Sequence, residues 1–191
     1  MKLPREFYTR QNTVLIAKEL LGKVLYTRFD EKISAGIITE TEAYAGETDR
    51  ASHAYGGRRT NRTETMYSVG GTAYVYLCYG MHHLFNVVTN EKNIPHAVLI
   101  RGIKPLEGIE IILIRRGKKK NYVHICSGPG TVSQGLGINT THTGINLLGN
   151  KIWIEDKGVI VSKRQITKSP RIGVDYAGAD ALLPYRFLVN S

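Results

Sequence analysis

The chain of 191 residues has the length of one domain able to bury a sizeable core, and its 42% hydrophobic and 22% charged residues are ordinary for a soluble globular protein. Two cysteines, Cys78 and Cys126, are too few for a disulfide scaffold and lack zinc-site spacing; the N-terminal MKLPREFYTRQN lacks the apolar core of a signal peptide; no apolar run is long enough to cross a membrane. The 26 Lys and Arg against 16 Asp and Glu give a formal net charge of +10, which favours a polyanionic partner such as nucleic acid, although a merely basic protein shows the same excess.

Residues 1–11 are polar and are expected to wrap the surface. Asn12 or Thr13 suits the cap of a helix through about Leu21, with Val14, Leu15, Ala17, Leu20 and Leu21 on or near its apolar face and Gly22 as its stop. Residues 23–28 and 33–44 read as strands joined by a turn at Asp30 and Glu31.

The second of these strands organises the chain. Strand alternation puts Ile38, Glu40, Glu42 and Tyr44 on one face, with the two carboxylates roughly 6.5–7 Å apart along the backbone. Carboxylates and an aromatic ring on one face, followed by a loop with a His, suit work on a flat, polar ring. An edge strand whose acidic face looks at water has the same pattern.

The loop from 45 to 64 is polar and carries Gly46, Gly56 and Gly57, then Arg58, Arg59 and Arg62. Glycine lets a backbone approach a ligand and arginine binds phosphate oxygens in a fork, so this loop is expected to face phosphates; a solvated loop is the plainer alternative. Residues 74–78 and 84–89 read as strands, with Tyr79-Gly-Met81 as the hairpin tip between them. Tyr79 and Met81 put apolar bulk where a turn is normally polar. They suit wedges of the kind that enter the minor groove between base pairs, or they fold back into the core.

Residues 96–102 form a buried-type strand that includes Arg101, which calls for a carboxylate partner unless it lies at the surface. Residues 105–116 read as a helix, acidic early and basic late, ended by Gly117 and a Lys118–Lys120 run. Ser127-Gly-Pro-Gly130 precedes a short helix over 131–136, with Ser127 or Gly130 as its cap. Residues 150–155, 158–163 and 185–189 read as further strands, with Arg171-Ile-Gly-Val174 between the last two. The fold class is therefore α+β: a single domain over 1–191, with a mostly antiparallel, curved sheet (a roll or partly open barrel), peripheral helices and a protruding β-hairpin.

Taken together, Glu40-Thr-Glu-Ala-Tyr44, Ala51-Ser-His53, Ala73-Tyr-Val-Tyr-Leu-Cys-Tyr-Gly-Met81 with Asn86, Val98-Leu-Ile-Arg101 with Pro-Leu-Glu-Gly108, Cys126-Ser-Gly-Pro129 and Arg171-Ile-Gly-Val174 resemble the 3-methyladenine (alkyladenine) DNA glycosylases, in that family's order and over most of the chain. The resemblance implies a monofunctional glycosylase that flips damaged purines (3-methyladenine, 7-methylguanine, hypoxanthine, ethenoadenine) out of duplex DNA and hydrolyses the N-glycosidic bond. It gives Glu42 the role of general base, and has Arg101 and the Ile172 carbonyl hold the water. Tyr44, His53 and Tyr76 would stack the base, and Asn86 would clash with the 2-amino group of normal guanine. Tyr79 fills the vacated space with Met81 beside it, and Arg58, Arg59 and Arg62 meet the DNA backbone.

Glu40 has no role that the resemblance assigns. His82 and His83 stand where vertebrate members have aromatic residues beside the wedge. No lysine lies in the matched motifs, which argues against a lyase. The histidines show no metal-ligand pattern, and neither metal nor cofactor is expected. The resemblance further implies a compact bacterial-type monomer, cytoplasmic and associated with the nucleoid, that hands its product to an AP endonuclease. Two alternatives use fewer of these residues. One is a sugar-only glycoside hydrolase built on the paired carboxylates. The other is a non-catalytic minor-groove protein that kinks DNA.

Overall fold

Strand β2, Lys32–Tyr44, is the spine of an eight-stranded sheet in which every pairing is antiparallel. The computed structural model describes residues 1–120 and 124–190, so residues 121–123 and 191 of the anticipated 1–191 domain lie outside the described residues. β1 (Val24–Phe29) and β2 form a hairpin whose turn residues Asp30 and Glu31 both take positive φ, as a type I′ turn demands. Along its other edge β2 pairs with β5 (His96–Glu107), which continues through β4 (His82–Thr89) to β3 (Ala73–Cys78). β6 (Ile152–Glu155) pairs with β1, and β8 (Arg186–Val189) pairs with both β2 and β7 (Ile166–Ser169). The sheet curls into a half-barrel, and with its few helices the protein is α+β.

The main core lies between one face of the sheet and α2 (Thr13–Glu19), α3 (Ile109–Arg115) and α4 (Pro129–Leu136). Asn12 caps α2 by accepting the Leu15 amide at 2.9 Å. Ile16, Leu20, Ile38, Phe85, Ile100 and Phe187 fill this core.

A pair of bulges decides what the other face of the sheet carries. Ile38 pairs with Ile103, Glu40 with Gly102, and Thr41 with Ile100, so Thr39 on β2 and Arg101 on β5 are each left without an opposite number. A one-residue slip reverses which face a side chain takes. Before the bulge Ile38 points into the core; after it Thr41 and Ala43 do, Thr41 donating to the Ala17 carbonyl of α2. Glu40, Glu42 and Tyr44 are thereby turned to the opposite face. They share that face with one another but not with Ile38.

The structure corrects four further expectations. Residues 1–11 are not merely surface: they contain a helical turn, α1 (Arg5–Tyr8), and bury Leu3 and Tyr8. The helix expected over 105–116 begins only at Ile109, because β2 extends far enough to pair Gly36 with Pro105 and Ala35 with Glu107. Gly108, at φ 63, makes the break between strand and helix. The cap of α4 is Gly128, at φ 128, with Pro129 in the first turn, rather than Ser127 or Gly130. Residues 158–163 do not pair as a strand: Asp156 Oδ1 accepts the Gly158 amide and turns the chain away, and Val159 and Val161 lie against Gly22. The strand beyond them is instead Ile166–Ser169, held by β8.

Candidate active site

On the face of the sheet that carries Tyr44, Tyr76 and Asn86 lies a cleft of about 620 Å³. Its floor is built by alternate residues of three adjacent strands: Tyr74 and Tyr76 of β3, Leu84 and Asn86 of β4, Ala97, Leu99 and Arg101 of β5. Tyr44 closes it from β2. One rim is the loop after β2, with Ala51, His53 and Arg62; the other is 172–176. The start of α4, through Gly128–Thr131, lines the far end beside His82.

Glu42 is 0% exposed and lies just behind this wall. Its Oε1 accepts the backbone amide of Ile172 at 2.9 Å and its Oε2 accepts the Tyr44 hydroxyl at 2.8 Å. Arg101 approaches both oxygens, at 3.4 Å each. Glu40 completes the cluster: its Oε1 binds Arg101 Nε at 2.9 Å and Arg186 Nε at 2.6 Å. Burial pushes the Glu42 pKa up, against the pull of Arg101, the Ile172 amide and the Tyr44 hydroxyl. A carboxylate with a raised pKa is a better proton acceptor than an ordinary one, and the cation beside it favours the ionised form against the burial. Glu40 thus has a structural place: it holds the far side of the guanidinium that faces Glu42.

The aromatic residues form a continuous nest. His53 meets the Tyr76 ring edge-on at 4.6 Å between centroids, and its Nδ1 lies 3.0 Å from the hydroxyl of Tyr74. Tyr74 and Tyr76 stand 5.5 Å apart. Burial, with Arg62 and Arg58 nearby, lowers the His53 pKa to about 4, so its imidazole is neutral at pH 7. A neutral imidazole among tyrosines adds no positive charge of its own against a flat cation. Asn86 is buried and donates from Nδ2 to the carbonyls of Tyr74 and Leu84, both at 3.2 Å, which leaves its side-chain oxygen uncommitted among the bonds of the described residues.

At the hairpin tip, Tyr79 is 86% exposed and Met81 69%. Neither folds back into the core. Tyr79 has φ 50 and Gly80 φ 68, and the Met81 amide closes the turn on the Cys78 carbonyl at 3.1 Å. A positive φ is unusual for so bulky a residue and holds the phenol outward.

The three arginines of the loop differ. Arg62 lines the cleft and its guanidinium lies 5.1 Å from the Tyr76 ring centroid. Arg59 is engaged with Glu64 through two contacts, at 2.8 and 2.6 Å, and lies over Tyr67. Arg58 is exposed, and its carbonyl anchors the hydroxyls of Thr63 and Tyr67.

The fold therefore gathers Glu42, Tyr44, His53, Tyr76, Tyr79, Asn86, Arg62, Arg101 and Ile172 around one cleft from segments far apart in sequence. Met81, Arg58 and Arg59 lie outside its lining. Tyr74, Tyr176 and the buried pair Arg171–Asp49 also belong to this region, and sequence reasoning assigned them nothing. Strand alternation with Tyr76 was a usable signal for Tyr74, and Arg171 stands in a matched motif without a role; nothing local marks Asp49 or Tyr176. Among the described residues, no group of three or more His, Cys, Asp or Glu is arranged to hold a metal ion.

Comparison with known proteins is consistent along the whole chain. The model of the methylpurine-DNA glycosylase family matches residues 6–191. A protein of Chlamydia felis named "Putative 3-methyladenine DNA glycosylase" is 47% identical over 189 residues, covering 98% of this chain and 96% of its own. Proteins of the same name from Clostridium perfringens strain 13 and Bacillus cytotoxicus are 46% and 44% identical, covering 100% and 98% of this chain and 96% and 95% of theirs.

Proposed function

The chain belongs to the methylpurine-DNA glycosylase family, DNA N-glycosyl hydrolases that act on alkylated purines, and from that premise we propose that it extrudes the damaged nucleotide from the duplex and releases the base with a water activated by Glu42. The observation that carries this reading is the buried Glu42 carboxylate, 3.4 Å from Arg101 and one side chain away from an aromatic cleft.

A purine does not reach that cleft while stacked in a helix, so the nucleotide rotates out and Tyr79 takes the gap, with Met81 against the neighbouring pair. The base stacks among Tyr44, His53 and Tyr76. Asn86 faces the edge that carries a 2-amino group in guanine. Water reaches Glu42 when the Tyr44 hydroxyl gives up its bond to Oε2. Arg101 and the Ile172 carbonyl orient that water; Glu42 takes its proton as oxygen bonds to the anomeric carbon. The C1′–N bond breaks and its electron pair returns to the base. In a cationic alkylpurine this electron pair cancels the positive charge, so 3-methyladenine and 7-methylguanine leave readily. Hypoxanthine and ethenoadenine, both neutral, leave after protonation. The Glu42 charge stabilises the oxocarbenium-like sugar throughout.

At the rim of the cleft and beyond it, Arg62, Arg58 and Arg59 contact the DNA backbone, Arg62 first because it already lines the cleft. The enzyme works as a monomer in the bacterial cytoplasm, on nucleoid DNA, and leaves an abasic site for an AP endonuclease. The helices described include none long and apolar enough to cross a membrane.

The test is product analysis on a duplex with one hypoxanthine and on DNA treated with a methylating agent. Free base and an intact, alkali-labile strand are expected. Strand cleavage without alkali would instead indicate a lyase, and tight binding without base release a protein that only kinks DNA.

A further inference from the structure

Arg171 and Asp49 form an ion pair to which the proposed reaction gives no part. Their side chains are almost completely buried. Both terminal nitrogens of Arg171 bind the carboxylate, Nη2 at 2.8 Å from Oδ1. Nη1 also donates to the Ala43 carbonyl at 2.9 Å and Nη2 to that of Asp180 at 3.0 Å. Asp49 accepts two further amides, Ala45 at 2.9 Å and Ala51 at 3.0 Å, and so holds the loop that leads to His53. The guanidinium lies over two rings, its carbon 5.0 Å from the centroid of Tyr44 and 5.3 Å from that of Tyr185. Tyr44 lines the cleft and Arg171 does not. The cation therefore backs the Tyr44 ring on its protein side.

That arrangement has an electrostatic consequence. An aromatic face attracts a cation through its electron density. A bare positive charge on one face opposes a second on the other, and in a buried setting the repulsion is weakly screened. The Asp49 carboxylate, in bidentate contact, cancels the charge of Arg171 where it matters. A buried ion pair is weak support for stability compared with apolar packing, so stapling the loop does not by itself explain why charges are used here. Arginine does explain the brace: its planar fork spans Asp49 and two carbonyls while its carbon stands over Tyr44.

We propose that the Arg171–Asp49 pair sets the charge behind the stacking ring, Asp49 being a specificity-determining positioning residue that keeps Tyr44 receptive to cationic alkylated purines over neutral damaged ones. The proposal rests on Tyr44 being a stacking surface for the extruded base.

The experiment compares single-turnover release of 7-methylguanine and of hypoxanthine from matched duplexes, with a thermal midpoint recorded for each variant. Asp49→Asn leaves the Arg171 charge uncompensated. It is expected to slow release of 7-methylguanine at least ~10-fold while changing release of hypoxanthine less than ~3-fold. The double variant D49N/R171Q carries neither charge and is expected to bring the ratio of the two rates back to within ~3-fold of the parent, whatever its stability. In a Tyr44→Leu background, Asp49→Asn is expected to leave the ratio unmoved. Equal slowing of both lesions, an unchanged ratio, or a shift that persists without the Tyr44 ring would each overturn the proposal and leave the pair a loop staple. If Tyr44→Leu alone releases both bases at the parental rate, the base-pocket reading falls and this proposal with it. A failure confined to Asp49→Asn overturns this proposal alone.

Discussion

Single residues here are held in states they would not choose in water, and the consequences are measurable. His53 is the clearest. Its folded pKa of about 4 lies below the ordinary 6.5, chiefly through burial. Between those values the unfolded chain binds a proton that the folded chain does not, so stability is fully present above about pH 6.5 and falls as the pH drops toward 4. The His53→Gln variant is expected to show a shallower loss of thermal midpoint across that window, and the His53 ring protons to titrate in NMR with a midpoint near 4. A midpoint near 6.5 would contradict the buried, neutral imidazole. Tyr79 is strained differently, with its bulky ring on a backbone of φ 50. Tyr79→Gly relieves that strain while adding freedom to the unfolded chain, and is expected to leave stability within about 0.5 kcal/mol of the parent. The same variant is expected to lower base release at least ~10-fold, because unstacking without a wedge is costly. Loss of stability with full activity would reverse the roles assigned to this tip.

At the scale of elements, local pattern was readable where one residue decides the outcome. Asn12 at the start of α2, the Asp30–Glu31 turn and the hairpin tip at Tyr79-Gly80 all stand in the structure at the positions the sequence indicates. The alternation of Tyr74 and Tyr76 along β3 likewise carries directly into the cleft floor. What the sequence hid were effects of pairing partners. The paired bulges at Thr39 and Arg101 separate Ile38 from the carboxylates that alternation places beside it, and no local signal announces a slip that involves two strands. The extension of β5 through Pro105 likewise depends on how far β2 reaches. Helix-like charge order over 105–116 is real, but the sheet claims its first residues. Gly108 enforces that switch: a Cβ there would sit 2.2 Å from the Ile33 carbonyl oxygen, on a backbone of φ +63. Gly108→Ala is expected to destabilise the protein by about 2–4 kcal/mol in urea unfolding. A change under about 0.5 kcal/mol would show that the α3 entry is not fixed there.

Across the whole molecule, the formal charge of +10 and the cleft on one side of the sheet act together. Neutralised phosphates release counterions, so affinity for undamaged duplex is expected to fall at least ~30-fold between 50 and 200 mM salt. Arg62→Ala is expected to lower the slope of log affinity against log salt by about one, with Arg59→Ala changing it less because Glu64 already engages that guanidinium. Equal slopes for both variants would contradict the distinction between the two arginines. The pieces of the site were readable as motifs; their convergence was not, since Glu42, Arg101 and Ile172 meet only through long-range pairing and a returning loop.

The central claim is that Glu42, sealed behind Tyr44 and Ile172, activates the water. Single-turnover release of 7-methylguanine by Glu42→Gln, beside the parent at matched duplex affinity, tests it most directly. The amide keeps the size and a hydrogen-bond acceptor but not the charge, so a rate loss of at least ~10²-fold with unchanged binding is predicted. Release within ~3-fold of the parent would contradict the account and move the base elsewhere in the cleft.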